Sequence, residues 1–298
     1  MECLFLNDMK NWMKKIADDT LITAINMPGT HDSACRYMDF GFISQTQHLS
    51  VTEQLNIGVR YFDFRFKFHK SKFIANHSIC YCRKKFGFWN EILLADDIVK
   101  ECVDFIRENP TETILFQLKE AESNTGKEFF NEFYKRYIES CLDCWFVENK
   151  IPTMGEARGK IILLRAVSVD SDRFTDKNSC IDFTSYPYVG SYNVDDWKRG
   201  DIRTLSGEKY AGMYVQDSYK SEGMHKWGTV TRFLDSGLSA DDFNICLTSC
   251  TRVFVPRFNA PKINKLIKNH NFIKGQLYGI IATDYIDAQI CEKIISTN

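Results

Sequence analysis

Eight short runs rich in β-branched and aromatic residues recur along this chain, and helix-length stretches separate nearly all of them. The runs are Leu21–Asn26, Val59–Phe66, Phe73–His77, Thr113–Lys119, Lys160–Val167, Gly212–Gln216, Asn244–Thr248 and Tyr278–Thr283. Strand–helix alternation feeds a parallel sheet, because parallel neighbours need a crossover of about a dozen residues or more. Eight such units predict a closed, parallel (β/α)8-type barrel. The connection from Phe66 to Phe73 is too short for a crossover and departs from a regular barrel. Helix punctuation agrees with this reading. Ser50-Val51-Thr52-Glu53 has the capping-box pattern and Gly58 is a stop signal. Ile92 to Glu108 carries apolar residues at helical spacing and ends before Asn109-Pro110. Pro261 to Asn269 and Ile286 to Ile295 predict two further helices.

No low-complexity linker or repeat divides the 298 residues. α/β barrels often use about 200–250 residues in one domain, so a single catalytic domain over residues 1–298 is expected. The chain is 44% apolar and 26% charged, which is globular rather than disordered. Its 38 Lys and Arg are matched by 39 Asp and Glu, so a nucleic-acid partner held by a broad basic surface is not expected. A local basic pocket is still allowed. The longest apolar stretches, such as Ile161 to Leu164, are too short to span a membrane. Met1 to Asp19 shows no apolar core after a basic start, so no Sec signal is expected. The compartment stays open between the cell interior, another export route and a trimmed leader. The 11 cysteines are odd in number, in a chain too long to need disulfides. Cys80 with Cys82, and Cys141 with Cys144, invite a zinc reading, but the two spacings differ. Reduced, mostly buried thiols are expected, with no resident metal or cofactor.

Barrel chemistry sits at the C-terminal ends of the strands. The first predicted strand runs into Met27-Pro28-Gly29-Thr30-His31-Asp32-Ser33, and the second carries Asp63 and Arg65. The third ends at His77, the fourth at Lys119 and Glu120, and the fifth carries Arg165. The sixth ends at Asp217 and Tyr219, and the eighth at Asp284. Two histidines and an arginine suit phosphodiester cleavage. One imidazole takes a proton from the attacking hydroxyl and the other gives one to the leaving oxygen. A guanidinium forks onto the phosphate oxygens as charge develops. Carboxylates beside the histidines fix tautomer and orientation. Each residue also has a structural alternative. A strand-end His is often simply hydrogen-bonded, Arg65 reads equally as a rim salt bridge, and Asp217 and Asp284 read as helix N-caps.

Asn26-Met27-Pro28-Gly29-Thr30-His31-Asp32-Ser33 resembles the first catalytic motif of bacterial phosphatidylinositol-specific phospholipase C. Further segments resemble that family in order: Gly58 to Arg65, Asn109 to Lys119, Ala157 to Arg165, Val215 to Lys220 and Ala282 to Ile286. The resemblance implies a distorted, incompletely closed TIM barrel. It also implies attack of the inositol 2-hydroxyl on phosphorus, giving diacylglycerol and inositol 1,2-cyclic phosphate, with slow hydrolysis of the cyclic ester afterwards. By position, His31 is implied as general base supported by Asp284, and His77 as general acid assisted by Asp32. Arg65 is implied at the phosphate, and Lys119, Arg165, Asp217 and Tyr219 at the inositol hydroxyls. Calcium-dependent relatives surround the phosphate with carboxylates. Arg65 supplies the positive charge itself, so catalysis without metal is expected.

Ser78 stands where the secreted members usually have Gly, and Ala166 stands where a second basic residue is common. The family's membrane-facing tryptophan is not evident. Phe40, Phe42, Ile43 and Trp227 are the candidates for contact with a bilayer containing phosphatidylinositol. The protein is expected to act as a monomer. Competing readings are a glycerophosphodiesterase, a phosphodiesterase acting on glycosylphosphatidylinositol, and an inositol-lipid binding module without catalysis. A barrel glycosidase would use Asp217 and Asp284 but leave both histidines unexplained.

Overall fold

The computed structural model describes residues 9–87, 89–122, 125–187, 197–221, 223–251 and 255–298. The first strands are β1 (Met27–Thr30), β2 (Tyr37–Met38), β3 (Tyr61–His69), β4 (Lys72–His77), β5 (Cys80–Arg83) and β6 (Thr113–Glu120). Then come β7 (Trp145–Phe146), β8 (Lys160–Arg165), β9 (Ile181–Asp182) and β10 (Lys198–Arg203). The last are β11 (Lys209–Gln216), β12 (Phe243–Leu247) and β13 (Ile280–Thr283).

The run Tyr61-Phe62-Asp63-Phe64-Arg65-Phe66 shows how sequence becomes barrel. A strand sends alternate side chains to opposite faces. Phe62, Phe64 and Phe66 face the surrounding helices and join an aromatic layer with Phe116 and Phe133. Tyr61 faces the interior, with Leu115, Ile162, Ile245 and Ala282. Asp63 and Arg65 share the parity of Tyr61 and stand above it at the C-terminal end. One run thus supplies both the packing and two charged groups at the rim.

Parallel neighbours follow the order β11, β12, β13, β1, β3, β6, β8, β9. This is a (β/α)8-type barrel that is not closed. β10 pairs antiparallel with β11, and no ladder joins β10 to β9 among the described residues. Six of the eight expected strands take barrel positions as read, and the first barrel place is filled by Met27–Thr30, just past the expected Leu21–Asn26. The predicted third strand takes no barrel position. β4 folds back antiparallel on the extension of β3, with Phe66 opposite Ala75 and His69 opposite Lys72. Lys70 and Ser71, both with positive φ, make the two-residue turn. β9 takes the vacant barrel place. It is only two residues long and carries little strand signal of its own.

The first strand also differs from expectation. Ile22–Ala24 is a 3-10 turn, and the strand proper holds Pro28 and Gly29, residues that ordinarily argue against a strand. Gly29 is required there, because a Cβ would lie 2.7 Å from Cδ1 of Tyr61. The capping box forms as read: the Glu53 amide donates to Ser50 Oγ (3.2 Å) and the Ser50 amide to Glu53 Oε2 (2.7 Å). At the N-terminal end of the barrel, Arg60 donates to Glu112 Oε2 through Nη2 (2.8 Å) and Nε (3.1 Å). Both are fully buried, and they tie β3 to the segment leading into β6.

Cys141 and Cys144 are joined in a disulfide, contrary to the expectation of reduced thiols throughout. Their separation along the chain, at a kink ending a helical stretch, puts the sulfurs together. Eight further cysteines among the described residues are buried. No group among the described residues brings Cys80 or Cys82 to the Cys141 pair, which removes the geometric basis for the zinc reading. No described helix is long and apolar enough to cross a membrane.

Candidate active site

Interior parity carries five strands up to a single cleft of about 570 Å³ at the C-terminal rim. β1 delivers His31, β3 Arg65, β6 Lys119 and β11 Asp217, while the β4 hairpin returns His77 to the same wall. β13 delivers Asp284 behind His31.

His31 Nδ1 lies 2.9 Å from Asp284 Oδ1. Its Nε2 lies 3.2 Å from Asp32 Oδ2 and 3.2 Å from Arg65 Nη2. In an extended strand Asp32 would face away from His31. Its φ of +42° turns the chain, so that both consecutive side chains reach the site. His77 donates from Nδ1 to the Ser44 carbonyl (3.0 Å), which leaves Nε2 facing Asp32 Oδ2 at 3.4 Å. The two Nε2 atoms therefore share one carboxylate oxygen. The rings stand 6.5 Å apart, nearly perpendicular.

Arg65 is held as a fork by two carboxylates. Nε lies 2.8 Å from Asp32 Oδ1, and Nη2 lies 3.0 Å from Asp63 Oδ2. Lys119 Nζ reaches the other oxygen of Asp63 (2.9 Å) and lies 4.3 Å from the centre of the Tyr186 ring. Burial depresses the Lys119 pKa, and Asp63 works against that. Burial also opposes the charge on Asp63, but Lys119 and Arg65 hold its carboxyl well below the usual range. For His31, burial opposes the charged form, yet Asp32 and Asp284 together lift the pKa to about 9. Burial pushes Asp217 above the usual carboxyl value, against the pull of His31, Lys226 and Lys119.

His31, Asp32, Arg65, His77, Lys119, Asp217 and Asp284 are brought together, and Tyr219 lines the cleft mouth at 36% exposure. Arg165 is not among them. Ile162 and Leu164 are the inward residues of β8, so Arg165 falls on the outer face with Ile161 and Leu163. Its guanidinium donates to the Ser179 carbonyl (2.9 Å) and the Val167 carbonyl. It also pairs with Asp182 (3.2 Å) and lies over Phe130. The inward position above Leu164 belongs to Ala166. Trp227 is likewise half-buried against the core and meets His270 edge-on, so it is not an exposed membrane contact. Phe40, Phe42 and Ile43 are exposed as expected.

Asp63 stands at the rim, as its place on the second predicted strand implies. It anchors both cations, and its position two residues before Arg65 on one face was the available signal. Lys226, the basic neighbour of Trp227, carries no signal in the sequence for a place at the site. It is fully buried, with Nζ 3.1 Å from Gln216 Oε1 and 3.3 Å from the Ser218 carbonyl, and so braces the segment bearing Asp217. Ser78 has φ +52° in the two-residue turn after His77, a conformation that explains the preference for Gly at this place.

Comparison with known proteins agrees with this architecture. Residues 17–142 match the PI-PLC X family model. A Listeria monocytogenes protein named 1-phosphatidylinositol phosphodiesterase is 28% identical, over 97% of this chain and 85% of its own length. A Staphylococcus aureus protein of the same name is 27% identical over 52% of the chain and 50% of that protein. A solved S. aureus phosphatidylinositol-specific phospholipase C superposes with TM-score 0.77 at 21% identity, covering 99% of each chain. The solved L. monocytogenes phosphatidylinositol-specific phospholipase C gives 0.70 at 22% identity, with 97% and 98% covered. These superpositions establish a shared distorted TIM barrel.

Proposed function

We propose that this chain cleaves phosphatidylinositol to diacylglycerol and inositol 1,2-cyclic phosphate without a metal ion, and slowly hydrolyses the cyclic ester. The observation that carries this reading is the pair of Nε2 atoms facing one another across Asp32, with the Arg65 guanidinium between the flanking carboxylates. His31 removes the proton from the inositol 2-hydroxyl, and Asp284 stabilises the imidazolium that forms. His77 holds its exchangeable proton on Nε2, because the Ser44 carbonyl occupies Nδ1, and gives it to the departing diacylglycerol oxygen. Arg65 and Lys119 neutralise charge growing on the phosphate and fix the headgroup. His31, Asp32 and Asp63 offer ligand atoms within 4.8 Å of one another, the set from which a cation site would be built. Arg65 contacts all three, so its fixed charge already fills the place a cation would take. This supports a metal-independent reaction.

A base must be neutral to act. With the His31 pKa lifted to about 9, the acid limb of kcat/KM is expected above the ordinary histidine value near 6.5. Asp284→Asn removes one of the two carboxylates that raise it. The limb should then move to lower pH while the plateau falls. A profile measured from pH 5 to 10 with an unmoved limb contradicts the His31–Asp284 pairing.

The substrate reading also needs a way to meet a bilayer. Phe40 and Phe42 are 68% and 60% exposed beside the cleft, and they share a groove with Phe86, Arg36 and Arg257. Exposed aromatics among cations suit an anionic interface. Replacing Phe42 and Phe86 together with Ala is expected to weaken binding to phosphatidylinositol vesicles about ten-fold. Hydrolysis of a soluble inositol phosphodiester should be spared. Unchanged vesicle partitioning refutes the interfacial role.

A further inference from the structure

One reactive motif plays no part in the cleft. Cys141-Leu142-Asp143-Cys144 is a C-x-x-C whose two sulfurs are joined. It sits at the N-terminal end of the barrel, away from the rim. Cys144 runs straight into β7, whose Trp145 pairs with Ile161 at the start of β8. Arg107 comes from the last turn of the helix Ala95–Glu108, which leads into β6, and its Nη2 donates to Cys141 Sγ at 3.1 Å. The two sulfurs are unequal. Cys144 is 2% exposed and belongs to the core, whereas Cys141 is only partly buried, beside exposed Leu142 and Asp143. The eight further described cysteines are all buried. An external thiolate therefore has one sulfur of the pair within reach, and charge left on that sulfur meets a guanidinium. One accessible sulfur beside a fixed positive charge, with a buried partner to resolve it, is the arrangement of an exchange-active pair.

We propose that Cys141 and Cys144 form a thiol–disulfide exchange site for a small dithiol. One thiolate of the dithiol attacks Cys141 Sγ. The Cys141–Cys144 bond breaks, and Cys144 leaves and takes up a proton, since burial disfavours its anion. The dithiol's second thiolate then attacks the dithiol sulfur now bonded to Cys141. The donor departs as a cyclic disulfide, and Cys141 is released as a thiolate beside Arg107. Two electrons have passed from the dithiol to the pair. In the reverse direction Cys141 is the attacking sulfur. The site does not depend on the phospholipase reading. It lies at the barrel face that serves stability rather than chemistry, so any phosphatidylinositol cleavage should be equal in the two redox forms.

The test treats the folded full chain with dithiothreitol, alkylates it with iodoacetamide and locates the adducts by peptide mass. Before reduction neither Cys141 nor Cys144 should label. After reduction Cys141 should label about ten-fold faster than Cys144. Glutathione disulfide should then restore the bond and abolish labelling of both. Arg107 is exposed, so Arg107→Gln keeps the fold, and it should slow alkylation of reduced Cys141 at pH 7 about three-fold. A bond that dithiothreitol opens only when the chain unfolds overturns the proposal. So does faster labelling of Cys144, or a pair of thiols that stays reduced in glutathione disulfide. Zinc bound at one equivalent, with thiols that react only after chelation, overturns it in favour of a metal site. An unchanged alkylation rate in Arg107→Gln overturns the part given to the guanidinium.

Discussion

Replacing either His31 or His77 with Ala is expected to lower turnover of phosphatidylinositol by about 10²–10⁴-fold, with vesicle binding close to wild type. The expectation follows from the ring positions. Each imidazole is fixed through Nδ1, His31 by the Asp284 carboxylate and His77 by the Ser44 carbonyl. Each therefore has one nitrogen, Nε2, free to exchange a proton with the substrate. The two variants should separate when the leaving group changes. A soluble inositol phosphodiester with an acidic phenol as leaving group needs no proton from the enzyme. On that substrate His77→Ala should recover most of its loss, and His31→Ala should not. Equal recovery, or recovery by His31→Ala alone, reverses the assignment of base and acid.

Replacing Arg65 with Ala is expected to lower kcat by about 10²–10³-fold, the scale of losing one aligned donor to a developing oxyanion. Arg65 is the only side chain that contacts Asp32, Asp63 and His31 together among the described residues. Its removal takes away the positive charge at the phosphate and leaves two buried carboxylates facing an anionic substrate. Arg65→Lys should restore only part of the rate, because an ammonium cannot span both carboxylates in the geometry of a fork. Wild-type turnover should be the same in EGTA and in Ca²⁺. A wild-type rate that collapses in EGTA and returns with Ca²⁺ would show that Arg65 does not fill the cation's place.

Much of this site was legible in the sequence because barrel rims repeat a simple geometry. His31, Arg65, Lys119, Asp217 and Asp284 each follow an interior apolar residue by an even number of positions, so parity alone sends them to one end and one face. The same rule displaces Arg165, which lies one residue after inward-facing Leu164. Ala166 has the right parity but no charge. Parity could not reveal the course of β4. A run that reads as a barrel strand becomes a hairpin when the connection before it is too short, and the replacement strand, Ile181–Asp182, is too brief to announce itself. Lys226 stayed hidden for another reason. It is a lysine on a helix, ordinarily solvated, and only tertiary packing makes it a buried brace. Trp227 beside it read as an exposed anchor for want of the same information.

The central claim is that two histidines and an arginine, unaided by metal, drive attack by the substrate's own hydroxyl. It is tested most directly by incubating the protein with phosphatidylinositol vesicles in EGTA and following the reaction by phosphorus NMR. The account expects a five-membered cyclic phosphate signal to appear first and to decay slowly to the monoester. A monoester appearing at once with no cyclic signal, or no product until Ca²⁺ is added, would contradict it.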